Sequence, residues 1–191
     1  MAYNFFALMA RMKYIDRWGL MRNTQTENIQ EHSHMVAVLA HALAVIGRER
    51  FGSTVDPNEA AVAGLYHDAP EILTGDLPTP VKYYNPEIQR AYKEVERVSC
   101  KKLLNLLPAE LRKGYEPLLL ELDETVQPFV KAADKLSAHI KCIEEMKAGN
   151  LEFESAANQT KQALLKMELP ALQWFMDHCL DSFALNLDQL E

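Results

Sequence analysis

Cysteine is scarce in this 191-residue chain: Cys100, Cys142 and Cys179 stand far apart, with no C-x-x-C pair. An odd, scattered set argues against a disulfide framework and reads as reduced core thiols of a cytosolic protein. Also lacking is any Lys/Arg cluster long enough to give the basic face that duplex binding requires. The formal charge is −7, so no nucleic-acid partner is expected. A small phosphate ligand stays open, because a few local cations can hold one. The N-terminal MAYNFFALMARMKYI has no basic n-region or small-residue cleavage site, and Arg11 and Lys13 interrupt it. Neither a signal peptide nor a membrane span is expected, and the cytoplasm is the expected compartment. No repeat period, low-complexity tract or Gly/Ser-rich linker divides the chain. With 48% hydrophobic residues there is material for one substantial core, and a single domain over 1–191, with a short tail from about 186, is the default.

The periodicity that is present is helical nearly throughout. Phe5, Leu8, Met9 and Met12 recur at three- and four-residue spacing, predicting a first amphipathic helix near 2–15. A loop over 17–23 follows. Asn28 and Glu31 form a capping-box pair that opens a helix ending near Phe51-Gly52. Asp56-Pro57-Asn58-Glu59 is a cap with proline at the first helical position, and that helix should run through Asp68 to meet Pro70, where it must kink or restart. Residues 74–80 read as a loop. Further helices are predicted from Pro86 to about Leu107, over 109–122, from about Glu124 to Ala148 with Gly149 as the stop, over 151–167 and over 171–180. No useful run alternates with period two, so the fold class is all-α.

The chemistry-bearing pattern is a histidine, an adjacent His-Asp pair and a distant aspartate: His32, His67-Asp68 and Asp134. Imidazole nitrogen with carboxylate oxygen suits a divalent first-row metal, and the lack of thiolate argues against a structural zinc site. Four such ligands leave octahedral positions open for water and a phosphate oxygen. Neighbouring helical residues point about 100° apart, so His67 and Asp68 can share one ion. Glu71 falls beneath the same face if the turn survives Pro70, and Gly64, one turn earlier, leaves room that a ligand could enter. Bringing His32 and Asp134 to that point is a tertiary matter that spacing leaves open. A lone helical histidine is more often a surface or satisfied core residue, which is the reading for His34, His41, His139 and His178. His67-Asp68 differs because it follows the apolar run AAVAGLY, where a charge is costly unless paired or metal-bound.

Three segments, RWGLMRNTQTENIQEHS, YHDAPEILTGDLPTPVKYYN and VKAADKLSAHIKC, closely resemble the bacterial 5′-deoxynucleotidase family within the HD superfamily. The similarity runs from the first helix to about Leu185. The H…HD…D set belongs to all HD proteins, whereas the Arg-Trp loop and TGDLPTP are more specific. The resemblance implies a single-domain helical HD fold in which His32, His67, Asp68 and Asp134 hold one divalent metal, with cobalt, manganese or copper as activators. It implies that Arg17 and Trp18 meet the substrate, that Asp76, Leu77, Pro78 and Thr79 line the nucleotide pocket, and that Asp68 and Asp134 touch both metal and substrate. It further implies a cytoplasmic homodimer acting on 2′-deoxyribonucleoside 5′-monophosphates.

Those residue types suit phosphate-ester hydrolysis, which needs mainly positioning and charge stabilisation. Arg17 can give paired N–H donors to the phosphate. Glu71 is assigned to position water or shuttle a proton, with Asp76 the second candidate. Trp18 against the sugar's 2′ face would exclude a ribonucleotide's hydroxyl; the alternative is an indole that merely anchors the core. Arg22 and Lys82 read as solvated charges, although either could add phosphate attraction. Pro70 stands where the family is expected to carry a small residue such as serine, and a proline there could tilt Glu71 away. Two other readings remain: an HD phosphohydrolase acting on a cyclic nucleotide or alarmone, and a nucleotide-binding HD protein without turnover.

Overall fold

In the computed structural model, which describes residues 2–82 and 84–190, every regular element among those residues is helical. The chain runs through α1 (Phe5–Met9), a 3-10 turn (Met12–Tyr14), α2 (Ile29–Phe51), α3 (Pro57–Tyr66), α4 (Glu71–Thr74), α5 (Thr79–Lys82) and α6 (Pro86–Asn105). It continues through α7 (Ala109–Leu119), α8 (Gln127–Lys147), a 3-10 turn (Leu151–Phe153), α9 (Glu154–Leu165) and α10 (Pro170–His178), and closes in two 3-10 turns.

The caps explain most boundaries. Asn28 Oδ1 accepts from the amides of Gln30 and Glu31, both at 3.0 Å, while Glu31 returns a carboxylate to the Asn28 amide at 3.1 Å. This reciprocal box fixes the start of α2. Gly52, at φ 68°, takes the left-handed conformation that ends it. Asp56 caps α3 through the Asn58 amide at 2.8 Å.

Several expected boundaries move. The predicted helix over 2–15 is α1 plus a separate 3-10 turn. Helix α3 stops at Tyr66 rather than Asp68, because residues 67–70 form consecutive turns before Pro70 leads into α4. The proline has no N–H to continue a ladder, so the chain restarts. The stretch expected to be loop ends in a short helix, α5. Helix α8 begins three residues late, since Asp123 Oδ1 accepts from both the amide and hydroxyl of Thr125 and holds a turn first.

Long helices α2 and α8 carry the larger core. Val36, Leu39 and Leu43 of α2 meet Ala60 and Ala63 of α3, Val130, Ala133, Leu136 and Ile140 of α8, and Leu172 and Phe175 of α10. Phe5, Ala69, Leu103, Leu107 and Leu119 form a second cluster at the other end of the α3–α4 turn. Gly64 admits no ligand, contrary to the reading above. A Cβ there would lie 2.8 Å from Ala37 Cα and 2.9 Å from its amide nitrogen, so the missing side chain is what lets α3 press onto α2.

The 16–28 segment is held against α8 by one buried carboxylate. Glu145 accepts from the Thr24 amide at 2.9 Å, the Thr24 hydroxyl at 2.7 Å, the Gln25 amide at 3.3 Å and Asn150 Nδ2 at 2.8 Å. Lys141 pairs with it and also donates to the Gln25 carbonyl. At the segment's base, Asp16 and Asn28 form an antiparallel bridge.

Two outcomes are expected. Gly64→Ala should cost about 1–3 kcal/mol of stability by overpacking, read from urea unfolding; a wild-type midpoint would mean the helices can separate freely. Glu145→Ala should cost about 3–5 kcal/mol by stranding the Lys141 charge. Burial pushes the Glu145 carboxyl up, but Lys141, Asn150 and Thr24 together hold it well below the ordinary range. Its contribution is therefore complete above the unfolded value of about 4.3 and drains as pH falls through the lower folded value. The wild type should lose stability over that acidic interval, and the Glu145→Ala difference should shrink with it.

Candidate active site

The packing of α2, α3 and α8 brings together the residues that the sequence left scattered. His32, on the first turn of α2, is fully buried. Its Nε2 lies 3.2 Å from Asp134 Oδ1, on α8, and 3.6 Å from Asp68 Oδ2. Its Nδ1 meets Ser137 Oγ, one turn after Asp134, at 3.1 Å. His67 closes α3, and its Nε2 lies 3.0 Å from Asp68 Oδ2. The two imidazole rings are 5.2 Å apart. Ligand atoms of His32, His67 and Asp68 all fall within 4.8 Å of one another; Asp134 adjoins that trio through His32.

The donor set fits a divalent cation. His67 Nδ1 donates to the Gly64 carbonyl at 2.8 Å, which fixes the tautomer and turns Nε2 toward the cluster. That buried Nε2 has Asp68 Oδ2 at 3.0 Å but makes no well-directed hydrogen bond, which suits a nitrogen and an oxygen placed to share one ion. The imidazoles and carboxylates of the cluster shift one another's protonation. Burial favours a neutral His67, but Asp68 beside it raises the ring to about 9. Burial likewise opposes ionisation of Asp68, yet the His67 charge lowers it to about 2. Asp134 is held well below the carboxylate range by His32, against its burial. His32 is lowered by burial and then by Arg17.

Beside the cluster opens a cavity of about 550 Å³, within the range of small-molecule sites. Asp68, Glu71 and Asp134 line it together with Arg17 and Trp18 and with Asp76, Leu77, Pro78 and Thr79. Glu71 sits in this cavity despite Pro70. It is buried, its Oε2 has no partner, and burial with Asp68 and Asp76 nearby raises its carboxyl to about 9. Asp76 is also raised by burial, with Arg17 drawing it back. The charge on Arg17 persists against burial because Glu27 and then Asp68, Asp134 and Asp76 surround it.

Trp18 belongs to both wall and core. Its ring lies 5.3 Å from that of Phe153 while it lines the cavity. It is also the one non-glycine residue with positive φ, at 60°, among the described residues. Lys82 is not the solvated charge the sequence reading favoured: it lines the cavity, pairs with Glu96 at 2.7 Å and lies over the Tyr92 ring. Arg22 is exposed and bonds Glu152. His34, His41 and His178 are exposed, and His139 is a buried histidine bonded to Thr160 Oγ1 at 2.9 Å.

Sequence reasoning missed two features. Glu27, overlooked as the residue before a cap, binds both Arg17 and Trp18 Nε1. Lys135, Ser155, Ala156 and Gln159 form the cavity wall between α8 and α9. Lys135, the sequence neighbour of Asp134, was the available signal for that wall.

A family model described as 5′-deoxynucleotidase YfbR-like matches residues 4–183. Proteins named 5′-deoxynucleotidase from Shewanella oneidensis and Erwinia tasmaniensis are each 47% identical over 189 residues, spanning 98% of this chain and 97% and 96% of theirs. Among solved structures, an HD-domain phosphohydrolase from Listeria innocua superposes with a TM-score of 0.83 at 22% identity, covering 96% of this chain and 90% of that one. A cyanophage S-2L HD phosphohydrolase, solved with dA and one catalytic zinc ion, gives 0.60 at 21%, covering 92% and 96%. These two likenesses establish the HD fold, and no helix among the described residues is long and apolar enough to cross a membrane. Coverage of this extent at this identity settles the family: the chain belongs to the YfbR-like 5′-deoxynucleotidases.

Proposed function

We propose that this protein is a metal-dependent 5′-deoxynucleotidase that hydrolyses 2′-deoxyribonucleoside 5′-monophosphates to deoxynucleoside and phosphate and rejects ribonucleotides. The observation that carries the reading is the shared cavity: one pocket is lined by Asp68 and Asp134 of the His/Asp cluster, by a buried arginine and by an indole. His32, His67, Asp68 and Asp134 would hold one divalent ion, with cobalt, manganese or copper as activators. When bound, such an ion polarises a phosphoryl oxygen and lowers the pKa of water.

The chain's own groups do the rest. Arg17 gives N–H donors to the phosphate, and its surrounding carboxylates keep it charged. Glu71 lines the cavity and its Oε2 has no partner; in its ionised form it serves to orient the attacking water and accept its proton. Asp76 is the second carboxyl in reach of that task. Water adds to phosphorus as the bond to the 5′-oxygen breaks, and the proton ends on the departing nucleoside. Trp18 stands against the sugar's 2′ face, while Leu77, Pro78 and Thr79 wall the nucleoside. The proposal includes work in the cytoplasm as a homodimer, as the family resemblance implies, with one domain over 1–191 and a short tail from about 186.

The decisive experiment is phosphate release from metal-stripped protein resupplied with cobalt or manganese, with dAMP and AMP side by side. Release from dAMP alone, and only with metal, is the expected result; release from cyclic nucleotides or alarmones instead would move the protein to another HD activity. Asp68→Ala should lose both bound metal and activity, and full metal content would remove Asp68 from the ligand set. Glu71→Gln should lower kcat about 10²–10⁴-fold with metal content near wild type; a collapse of metal content would make Glu71 a ligand. Trp18→Ala should narrow the dAMP preference, and an unchanged ratio would return the indole to a purely structural role.

A further inference from the structure

We propose that Glu27 is a positioning residue that couples phosphate binding to sugar discrimination, an inference that rests on the deoxynucleotidase reading. A single atom, Glu27 Oε2, accepts both from Arg17 Nη1 and from Trp18 Nε1, the latter at 3.0 Å. The backbone reinforces the arrangement, since the Glu27 carbonyl accepts from the Arg17 amide at 2.8 Å. The Arg17 and Glu27 side chains are 12% and 16% exposed, so water does little to screen the pair.

Two geometric problems are solved by that one oxygen. Arg17 faces Asp68, Asp76 and Asp134, all of which attract its charge. Left to those carboxylates, the guanidinium would fold onto them and spend its donors before a phosphate arrived. Glu27 holds Nη1 of the rigid fork, and no hydrogen bond among the described residues occupies the other side-chain donors of this cavity-lining arginine. Trp18 has only one polar handle. Fixing Nε1 at Glu27, with Phe153 packed on the ring, sets the plane of the indole that lines the cavity. Because both side chains hang from the same atom, loss of its charge loosens both at once.

The test compares kcat and KM for dAMP and AMP, with inorganic phosphate as a competitive probe of the Arg17 end alone. Glu27→Gln keeps the size and removes the charge. It should raise both the dAMP KM and the phosphate inhibition constant about tenfold, as loss of a charge-assisted bond implies, and should narrow the dAMP preference by a similar factor. Trp18→Phe keeps the Arg17 contact and removes the indole donor; it should narrow the preference while leaving phosphate inhibition near wild type. A Glu27→Gln protein that loses only kcat, with preference and phosphate inhibition intact, overturns the coupling. So does an unchanged preference in Trp18→Phe, which decides the matter even where Glu27→Gln fails to fold by circular dichroism. Wild-type protein that hydrolyses neither nucleotide removes the deoxynucleotidase reading and this inference with it, whereas active wild type with unaffected variants removes the inference alone.

Discussion

Burying like charges is the constraint around which this molecule is organised. Asp68 and Asp134 approach the same imidazole, with Glu71 and Asp76 close behind, in a region walled by apolar helices. Carboxylates in such a place need either protons or cations. The chain supplies two histidines, the buried Arg17, and Lys82, while burial and neighbouring carboxylates raise the carboxyls of Glu71 and Asp76. A divalent cation among His32, His67 and Asp68 would add positive charge where these carboxyls favour it. The core helices then have two tasks: to keep water out, and to keep the donors where such a cation can reach them.

That second task explains why the backbone is built as it is around α3. The close approach at Gly64 and Ala37 sets the distance between α2 and α3, and so between His32 and His67. The Gly64 carbonyl is the same group that orients the His67 ring. One position thus serves packing through its absent side chain and the site through its backbone oxygen. Pro70 acts in the same economy of means: by ending one helix and starting another, it turns Asp68 and Glu71 into a shared cavity rather than stacking them on one face.

Periodicity and caps made the helices legible, because α2 and α8 bury one regular stripe each and Asn28 and Asp56 advertise their roles locally. Boundaries shifted where a competing local bond was invisible to pattern, as with the Asp123–Thr125 turn ahead of α8. Within the site, His67, Asp68 and Glu71 were readable together because they are close in sequence. His32 and Asp134 were named through the motif and the family resemblance, since no spacing rule relates residues about a hundred positions apart. Gly64 was misread because a missing side chain looks the same in sequence whether it makes room for a ligand or for another helix. Glu27 was passed over for a comparable reason. A glutamate before an N-cap is ordinary, and its meaning lies in two partners that a loop brings back to it.

The strained loop is the part of the site that a stable scaffold would not build for its own sake. A bulky non-glycine residue at φ 60° costs of order 1–3 kcal/mol and persists only where its surroundings impose it. Here they impose it from three directions. Glu27 grips the indole nitrogen, Phe153 supports the ring, and Glu145 pins Thr24 and Gln25 at the far side of the loop. The Glu145 node is itself a buried charge that Lys141 must balance. So much restraint on one turn makes sense if the orientation of Trp18 matters more than the stability it forgoes. On the proposed reading, a wall that tells a hydrogen from a hydroxyl at one sugar carbon would have to be rigid, because an indole free to yield by an ångström would admit both.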